Sequence, residues 1–192
     1  MFRLSPQLLI ATTRALAGLG VTEEDFGEAD DGAQHQGRVL GIVQDDRSSW
    51  DARFVQQCGY WSHYNHRSRS SMWPIPVDLT TPELALFGLA HGVLHDTPEP
   101  GDVFLMWGPS RDMFVHAGVV VDVLATYPEP GRKRSFDVYA IEGDTDEYGR
   151  LRGGRAMRVR RRLSAARGDR FLRWAELVSE GPRRSRCGSR CA

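Results

Sequence analysis

Cysteine is scarce in this 192-residue chain, which has three, Cys58, Cys187 and Cys191. An odd and small number provides no disulfide framework of the kind that holds small secreted domains together. Cys187 and Cys191 lie in a Gly/Ser/Arg-rich stretch without a nearby histidine, so they form no recognisable zinc motif. We therefore expect a fold held together by its hydrophobic core, with no metal and no cofactor.

Long apolar runs are missing as well. No segment approaches the roughly 18 apolar residues that a membrane-spanning helix needs. Arg3, Pro6 and Arg14 interrupt the start of the chain, which lacks the apolar block and cleavage site of a signal peptide. We expect a protein with no membrane span that is cytoplasmic, or that is released by other means such as phage-driven lysis.

Positive and negative charges balance overall but are unevenly distributed. Residues 150–192 contain 14 arginines and three acidic residues, a net charge of +11, so residues 1–149 carry −11. A basic region favours anionic partners such as nucleic acid or anionic wall polymers. The alternative is a solvated basic strand followed by a disordered, arginine-rich tail over residues 180–192. Both interpretations remain open at this stage.

Helical signals dominate the first half of the chain. Ser5 followed by Pro6 is a typical helix start. Phe54, Cys58 and Trp61 recur at the spacing of one helix face, in a helix whose first turn contains Asp51. A further helix is predicted from Thr81 to about Gly92.

Strand signals dominate after a PEPGD turn at residues 98–102. Strands are predicted over residues 103–107, 113–124, 135–142, 156–163 and 171–174. Helices followed by successive strands predict an α+β fold, with N-terminal helices packed on an antiparallel sheet that forms a meander or partial barrel. We assign residues 1–175 to one domain.

His116 is the histidine whose surroundings point to chemistry. It lies inside the apolar segment FVHAGVVV, where a polar ring must find hydrogen-bond partners. Glu142 ends the next apolar strand, where a carboxylate is costly unless it is paired. If these strands are neighbours, Glu142 or Asp144 can hydrogen-bond one ring nitrogen and raise the basicity of the other. Such a pair is two-thirds of a nucleophile-activating triad.

Four segments carry a resemblance to a known family. They are SSWDARFVQQCGYW, PEPGDVFLMW, FVHAGVVVDV and YAIEGDT, followed by a strand of alternating arginine and apolar residues. Over residues 38–163 their order resembles CHAP domains of the CHAP/NlpC-like cysteine peptidases and amidases, which have a papain-like fold. The resemblance implies a hydrolase that cleaves peptidoglycan as an amidase or endopeptidase. It matches His116 to the catalytic histidine, and Glu142 and Asp144 to the residues that orient it.

One position departs from that family: Asp51 stands where the nucleophilic cysteine is expected. A carboxylate substitutes poorly for a thiolate in amide cleavage, because the mixed anhydride is less stable than the amide. Cys58 is the alternative nucleophile, although it lies about 10 Å further along the helix axis. An Asp51–His116–Glu142 cluster can instead form a charge-locked site or hold a divalent cation.

Three functions therefore remain open. The first is a peptidoglycan hydrolase. The second is a catalytically inactive binding or structural module, with Trp50, Trp61, Trp73 and Trp107 lining a groove for a glycan or peptide. The third is an anion- or nucleic-acid-binding protein that uses its arginine-rich C-terminal part.

Overall fold

The computed structural model describes residues 5–18, 50–65, 75–76, 79–145 and 155–177. The predicted tail over residues 180–192, with Cys187 and Cys191, lies outside these ranges, and so does Trp73. The helices are α1 (Pro6–Gly18), α2 (Trp50–Asn65), α3 (Thr81–Ala90) and α4 (Trp174–Leu177). The strands are β1 (Leu94–His95), β2 (Val103–Gly108), β3 (Met113–Pro128), β4 (Arg134–Thr145), β5 (Arg155–Ser164) and β6 (Arg170–Leu172).

Helices α1 and α3 each begin at a residue whose side-chain hydroxyl caps the first turn. The Ser5 hydroxyl accepts the Leu8 amide hydrogen bond at the start of α1. Before α3, the Thr80 hydroxyl accepts from the Glu83 amide while the Glu83 carboxylate accepts from the Thr80 amide, forming a capping box. Among the described residues, no helix is long and apolar enough to cross a membrane.

The described strands form one antiparallel sheet in the order β1-β6-β2-β3-β4-β5. This confirms the predicted α+β class. Strands β2 to β5 form a meander, but β6 returns to pair with β2 instead of extending the meander beyond β5. The predicted last strand ends at Leu172, because Trp174 begins α4. The sheet is not closed, since β1 and β5 form its two edges in the described part of the chain.

The hydrophobic core occupies both faces of the sheet. Helices α1, α2 and α3 cover one face, where Leu9, Phe54 and Leu84 pack against side chains of β2, β3 and β4. The other face contains an aromatic cluster around Phe104, Phe136 and Phe171. Phe136 on β4 and Phe171 on β6 stand 5.7 Å apart, although β2 and β3 lie between their strands. The sheet therefore curls strongly towards this second face.

The start of α2 packs directly against β4. Trp50 stacks on Phe54 with ring centroids 5.4 Å apart and ring planes 6° apart. The Trp50 ring lies against the backbone of Gly143, where a side chain would overlap it. This contact brings the first turn of α2, including Asp51, to the ends of β3 and β4 that carry His116 and Glu142.

Candidate functional site

Asp51 is held in a buried position by β3. Its Oδ2 atom accepts a hydrogen bond of 2.7 Å from the Ala117 amide, and the Thr81 hydroxyl lies 3.5 Å from the same oxygen. Oδ2 also lies 3.0 Å from Nδ1 of His116. As a residue of the first helical turn, Asp51 is further stabilised by the positive end of the α2 dipole.

His116 lies between two carboxylates. Its Nδ1 faces Asp51, and its Nε2 lies 2.8 Å from Oε2 of Glu142. The side chain points to the concave face of the sheet, where its ring centroid is 5.8 Å from that of Phe104. Relative exposures of 1%, 2% and 0% for Asp51, His116 and Glu142 show that all three residues are shielded from solvent.

Glu142 has a cationic partner of its own on β5. Arg161 donates from Nε to Oε1 at 2.8 Å and from Nη2 to Oε2 at 2.6 Å, which is a bidentate pairing. The Thr145 hydroxyl donates to Oε2 at 3.1 Å. Asp51, His116, Glu142 and Arg161 thus form a continuous chain in which acidic and basic groups alternate, and we call it the ionic chain.

The electrostatics of the ionic chain favour a protonated imidazole. Burial by itself lowers the pKa of His116, but the hydrogen bonds and charges of Asp51 and Glu142 outweigh burial and raise this pKa to about 9. For Glu142, burial raises the pKa, but Arg161 and His116 together bring it below its ordinary value. At neutral pH His116 is therefore an imidazolium that donates one hydrogen bond to each carboxylate.

Of the two predicted orienting residues, Glu142 makes the contact with His116. Asp144 has a φ of 55°, in the left-handed region, and the pairing of β4 with β5 is interrupted between Glu142 and Thr145. This bulge places the Thr145 hydroxyl beside the Glu142 carboxylate.

Cys58 lies away from the ionic chain, in the core between α2 and α1. Burial raises the pKa of its thiol to about 12, although a hydrogen bond with Thr13 acts in the opposite direction. A neutral, buried thiol is not a nucleophile. The structure therefore gives Cys58 a packing role.

The described tryptophans lie in different surroundings. Trp50 is buried in the core against Phe54, so it does not line an open groove. Trp61 is partly buried and meets Tyr60 edge-on at 6.2 Å. Trp107 is partly buried and meets Phe114 edge-on at 5.1 Å.

The described residues contain no group of three or more potential metal ligands arranged around a common point. Both ring nitrogens of His116 are engaged with carboxylates, so neither offers a lone pair to a cation. Ion pairing, not metal ligation, accounts for the contacts in this cluster.

Sequence reasoning missed Arg161, Thr145 and Thr81. Arg161 had a detectable signal, because residues two apart on a strand share a face. Its same-face neighbours Met157, Val159 and Leu163 are apolar, so an arginine among them required a buried acidic partner. Thr81 and Thr145 gave no comparable signal.

Comparison of the chain with protein-family models, curated proteins and solved structures gave no match. The assignment to the CHAP/NlpC-like superfamily therefore stays a prediction, based on the order of the sequence motifs. The geometry of Asp51, His116 and Glu142 is a finding that does not depend on that assignment.

Proposed function

We propose that this chain is a catalytically inactive binding or structural module with the papain-like architecture of CHAP/NlpC-type hydrolases. The observation that carries the proposal is the position of His116, whose two ring nitrogens both face buried carboxylates. In an active site of that type, one ring nitrogen faces a nucleophile and accepts its proton. Here that side of the ring is occupied by Asp51.

A histidine acts as a general base only through a nitrogen that has a free lone pair. Hydrogen bonds to two carboxylates keep a proton on each nitrogen of His116, and its pKa of about 9 maintains this state at neutral pH. His116 therefore has no capacity to activate a nucleophile or water under ordinary conditions.

Asp51 is also unsuited to attack an amide. Its Oδ2 is already the acceptor for the Ala117 amide and the His116 ring. Attack on an amide carbonyl would form a mixed anhydride, which is less stable than the amide it replaces. Cys58 does not compensate, because its thiol is buried and protonated.

The ionic chain has a structural role that fits its burial. Its four members come from α2, β3, β4 and β5, so it ties the start of a helix to three adjacent strands. Removing one partner of a buried ion pair typically costs about 3–5 kcal/mol, because the other charge is left uncompensated. The ionic chain thus joins the helical layer to the sheet through specific buried ion pairs.

Nitrogen-15 NMR of the histidine rings tests directly whether both ring nitrogens of His116 are protonated. We expect both ring nitrogens of His116 to be protonated at neutral pH, and the exposed His91 provides a reference ring in the same sample. A neutral His116 ring with an unprotonated Nδ1 would restore a general base beside Asp51 and would overturn the proposal.

A hydrolase that uses Asp51 is the competing function, because Asp51, His116 and Glu142 follow one another in the order of nucleophile, histidine and orienting carboxylate. Purified peptidoglycan incubated with the protein distinguishes the two. We expect no soluble muropeptides from the wild type, from Asp51→Asn or from the control Asp122→Asn, which removes an exposed carboxylate. Release by the wild type and the control, but not by Asp51→Asn, would establish the hydrolase.

A further inference from the structure

A second cluster of charged residues lies on the outer side of β5, away from the ionic chain. Arg158, Arg160 and Arg162 alternate along the strand and are exposed, so they share one face of the sheet. Successive members of this row are about 6.6–6.8 Å apart along the strand. Together with Tyr127 and Tyr139 they form what we call the arginine–tyrosine face.

Asp137 on β4 fixes two of these arginines. Its buried carboxylate accepts hydrogen bonds from Arg162 and from Nη2 of Arg160, the latter at 2.7 Å, and the Tyr127 hydroxyl donates to it at 3.2 Å. Arg162 and Arg160 hold the pKa of Asp137 well below its usual range. The side chains of Arg160 and Arg162 remain 62% and 53% exposed, so their other donors face solvent.

The tyrosines support the outer arginines of the row. The guanidinium of Arg158 lies 4.4 Å from the ring centroid of Tyr139, and that of Arg162 lies 4.2 Å from the ring centroid of Tyr127. These cation–π contacts hold flat, positively charged groups against the sheet. Unpaired nucleic-acid bases stack on aromatic rings and on guanidinium planes of this kind.

The charge around the face is positive. Lys133 and Arg134 are exposed beside it, at the turn that joins β3 to β4. Two further carboxylates lie next to the face. Asp122 on β3 is exposed and pairs with Tyr139, and Glu129, between β3 and β4, accepts a hydrogen bond from the Ser164 hydroxyl and acts electrostatically on Arg162. Among the described residues in and around the face, the three arginines of the row, Lys133 and Arg134 outnumber the carboxylates of Asp122, Glu129 and Asp137 by five to three, so the net charge is positive.

We propose that the arginine–tyrosine face binds single-stranded nucleic acid. The phosphates would pair with Arg158, Arg160 and Arg162. The bases would stack beside Tyr127 and Tyr139. Positive charge favours any polyanion, but the pairing of arginines with aromatic rings favours a strand with unpaired bases. This surface lies outside the ionic chain, so the inference is independent of the proposed function.

Fluorescence anisotropy of a labelled oligothymidylate, measured with the full chain over a series of salt concentrations, tests the proposal. Arg158→Gln is the sharpest variant, because it leaves the ion pairs of Asp137 intact. We expect it to weaken binding about tenfold and to reduce the slope of log K against log salt by about 0.7, the value for one phosphate contact on a single strand. Arg111→Gln, in the turn between β2 and β3, removes an equal exposed charge and should leave binding unchanged.

Tyr139→Leu separates stacking from charge, since it removes the ring under Arg158 and keeps the arginines. We expect at least a fivefold loss of affinity with an unchanged salt slope. Equal losses in Arg158→Gln and Arg111→Gln, or no binding of the wild type at low salt, would overturn the proposal. Equal or tighter binding of duplex DNA or inorganic polyphosphate would also overturn it, and would reassign the face to polyanions in general.

Discussion

Gly143 on β4 lies so close to Trp50 on α2 that a Cβ atom at position 143 would overlap the indole ring. Gly143→Ala should therefore displace the start of α2 and the Asp51 side chain that follows Trp50. Overpacking of this kind typically costs about 1–3 kcal/mol. Urea denaturation of the variant measures the loss in free energy of unfolding.

Gly18→Ala is the matched control for this substitution. Gly18 ends α1, and a Cβ atom there would meet no atom of the described residues within 4 Å. We expect the control to change the free energy of unfolding by less than about 1 kcal/mol, in the stabilising direction because alanine favours helix. If Gly143→Ala changed the free energy of unfolding no more than Gly18→Ala does, Trp50 would have to move aside at no energetic cost.

Protonation of His116 should make stability depend on pH. The folded-state pKa of about 9 exceeds the ordinary value of 6.5, so the imidazolium stabilises the fold fully below about pH 6.5. This contribution is lost as pH rises through about 9, and it is on the order of 3 kcal/mol. We expect the free energy of unfolding to fall over this window in the wild type.

His116→Gln provides the comparison for the pH dependence, because glutamine keeps a hydrogen-bonding side chain but does not titrate. The stability difference between wild type and variant should shrink between pH 6.5 and 9. A difference that stays constant across the window would mean that the ring of His116 is neutral in the folded protein throughout.

Arg161 should contribute far more to stability than its neighbour Arg160. Arg161→Met leaves Glu142 buried with His116 as its remaining cation, and we expect a loss of about 3–5 kcal/mol. Arg160→Met removes a largely exposed partner of Asp137, so a loss of at most about 1 kcal/mol is expected. Adding Glu142→Gln to Arg161→Met should recover part of the loss; equal effects of the two arginine variants would contradict the role assigned to Arg161.

The geometry of the ionic chain was partly predictable because two of its contacts follow from the order of elements. His116 and Glu142 lie on consecutive strands, and hairpin neighbours place such residues together. Placing Asp51 beside them required the family resemblance, since nothing in the α2 segment itself specifies which strand it packs on. The packing of Trp50 on Gly143 supplies that information, and it is visible only in three dimensions.

Arg161 was missed for a different reason. In the register of β4 and β5, Arg161 is opposite Val138, whereas Glu142 is opposite Met157. The ion pair therefore runs diagonally between the two strands, and a sequence does not reveal strand register when both strands are long. The two-residue strand β1 was missed as well, since Leu94 and His95 are too few to show alternation.

The thiol of Cys58 should be unreactive towards alkylating reagents in the folded protein. With Cys187 and Cys191 changed to serine, labelling by iodoacetamide at neutral pH reports on Cys58 alone. Because burial raises the pKa of this thiol to about 12, we expect little labelling in the native state and rapid labelling in urea. Rapid native labelling would show a reactive Cys58 and revive it as a nucleophile.

Asp51→Cys tests whether a thiol at position 51 would make this site a hydrolase. The new thiol would sit at the start of α2 beside His116, and both features lower a thiol pKa. In the background Cys58→Ala, Cys187→Ser and Cys191→Ser, we expect thiolate ultraviolet absorbance near neutral pH, and none in the matched Asp51→Ser protein. We nevertheless expect no release of muropeptides from peptidoglycan, because His116 and position 51 are shielded from solvent. Release by Asp51→Cys alone would mean that substrate reaches the buried site and that its other groups are competent for catalysis.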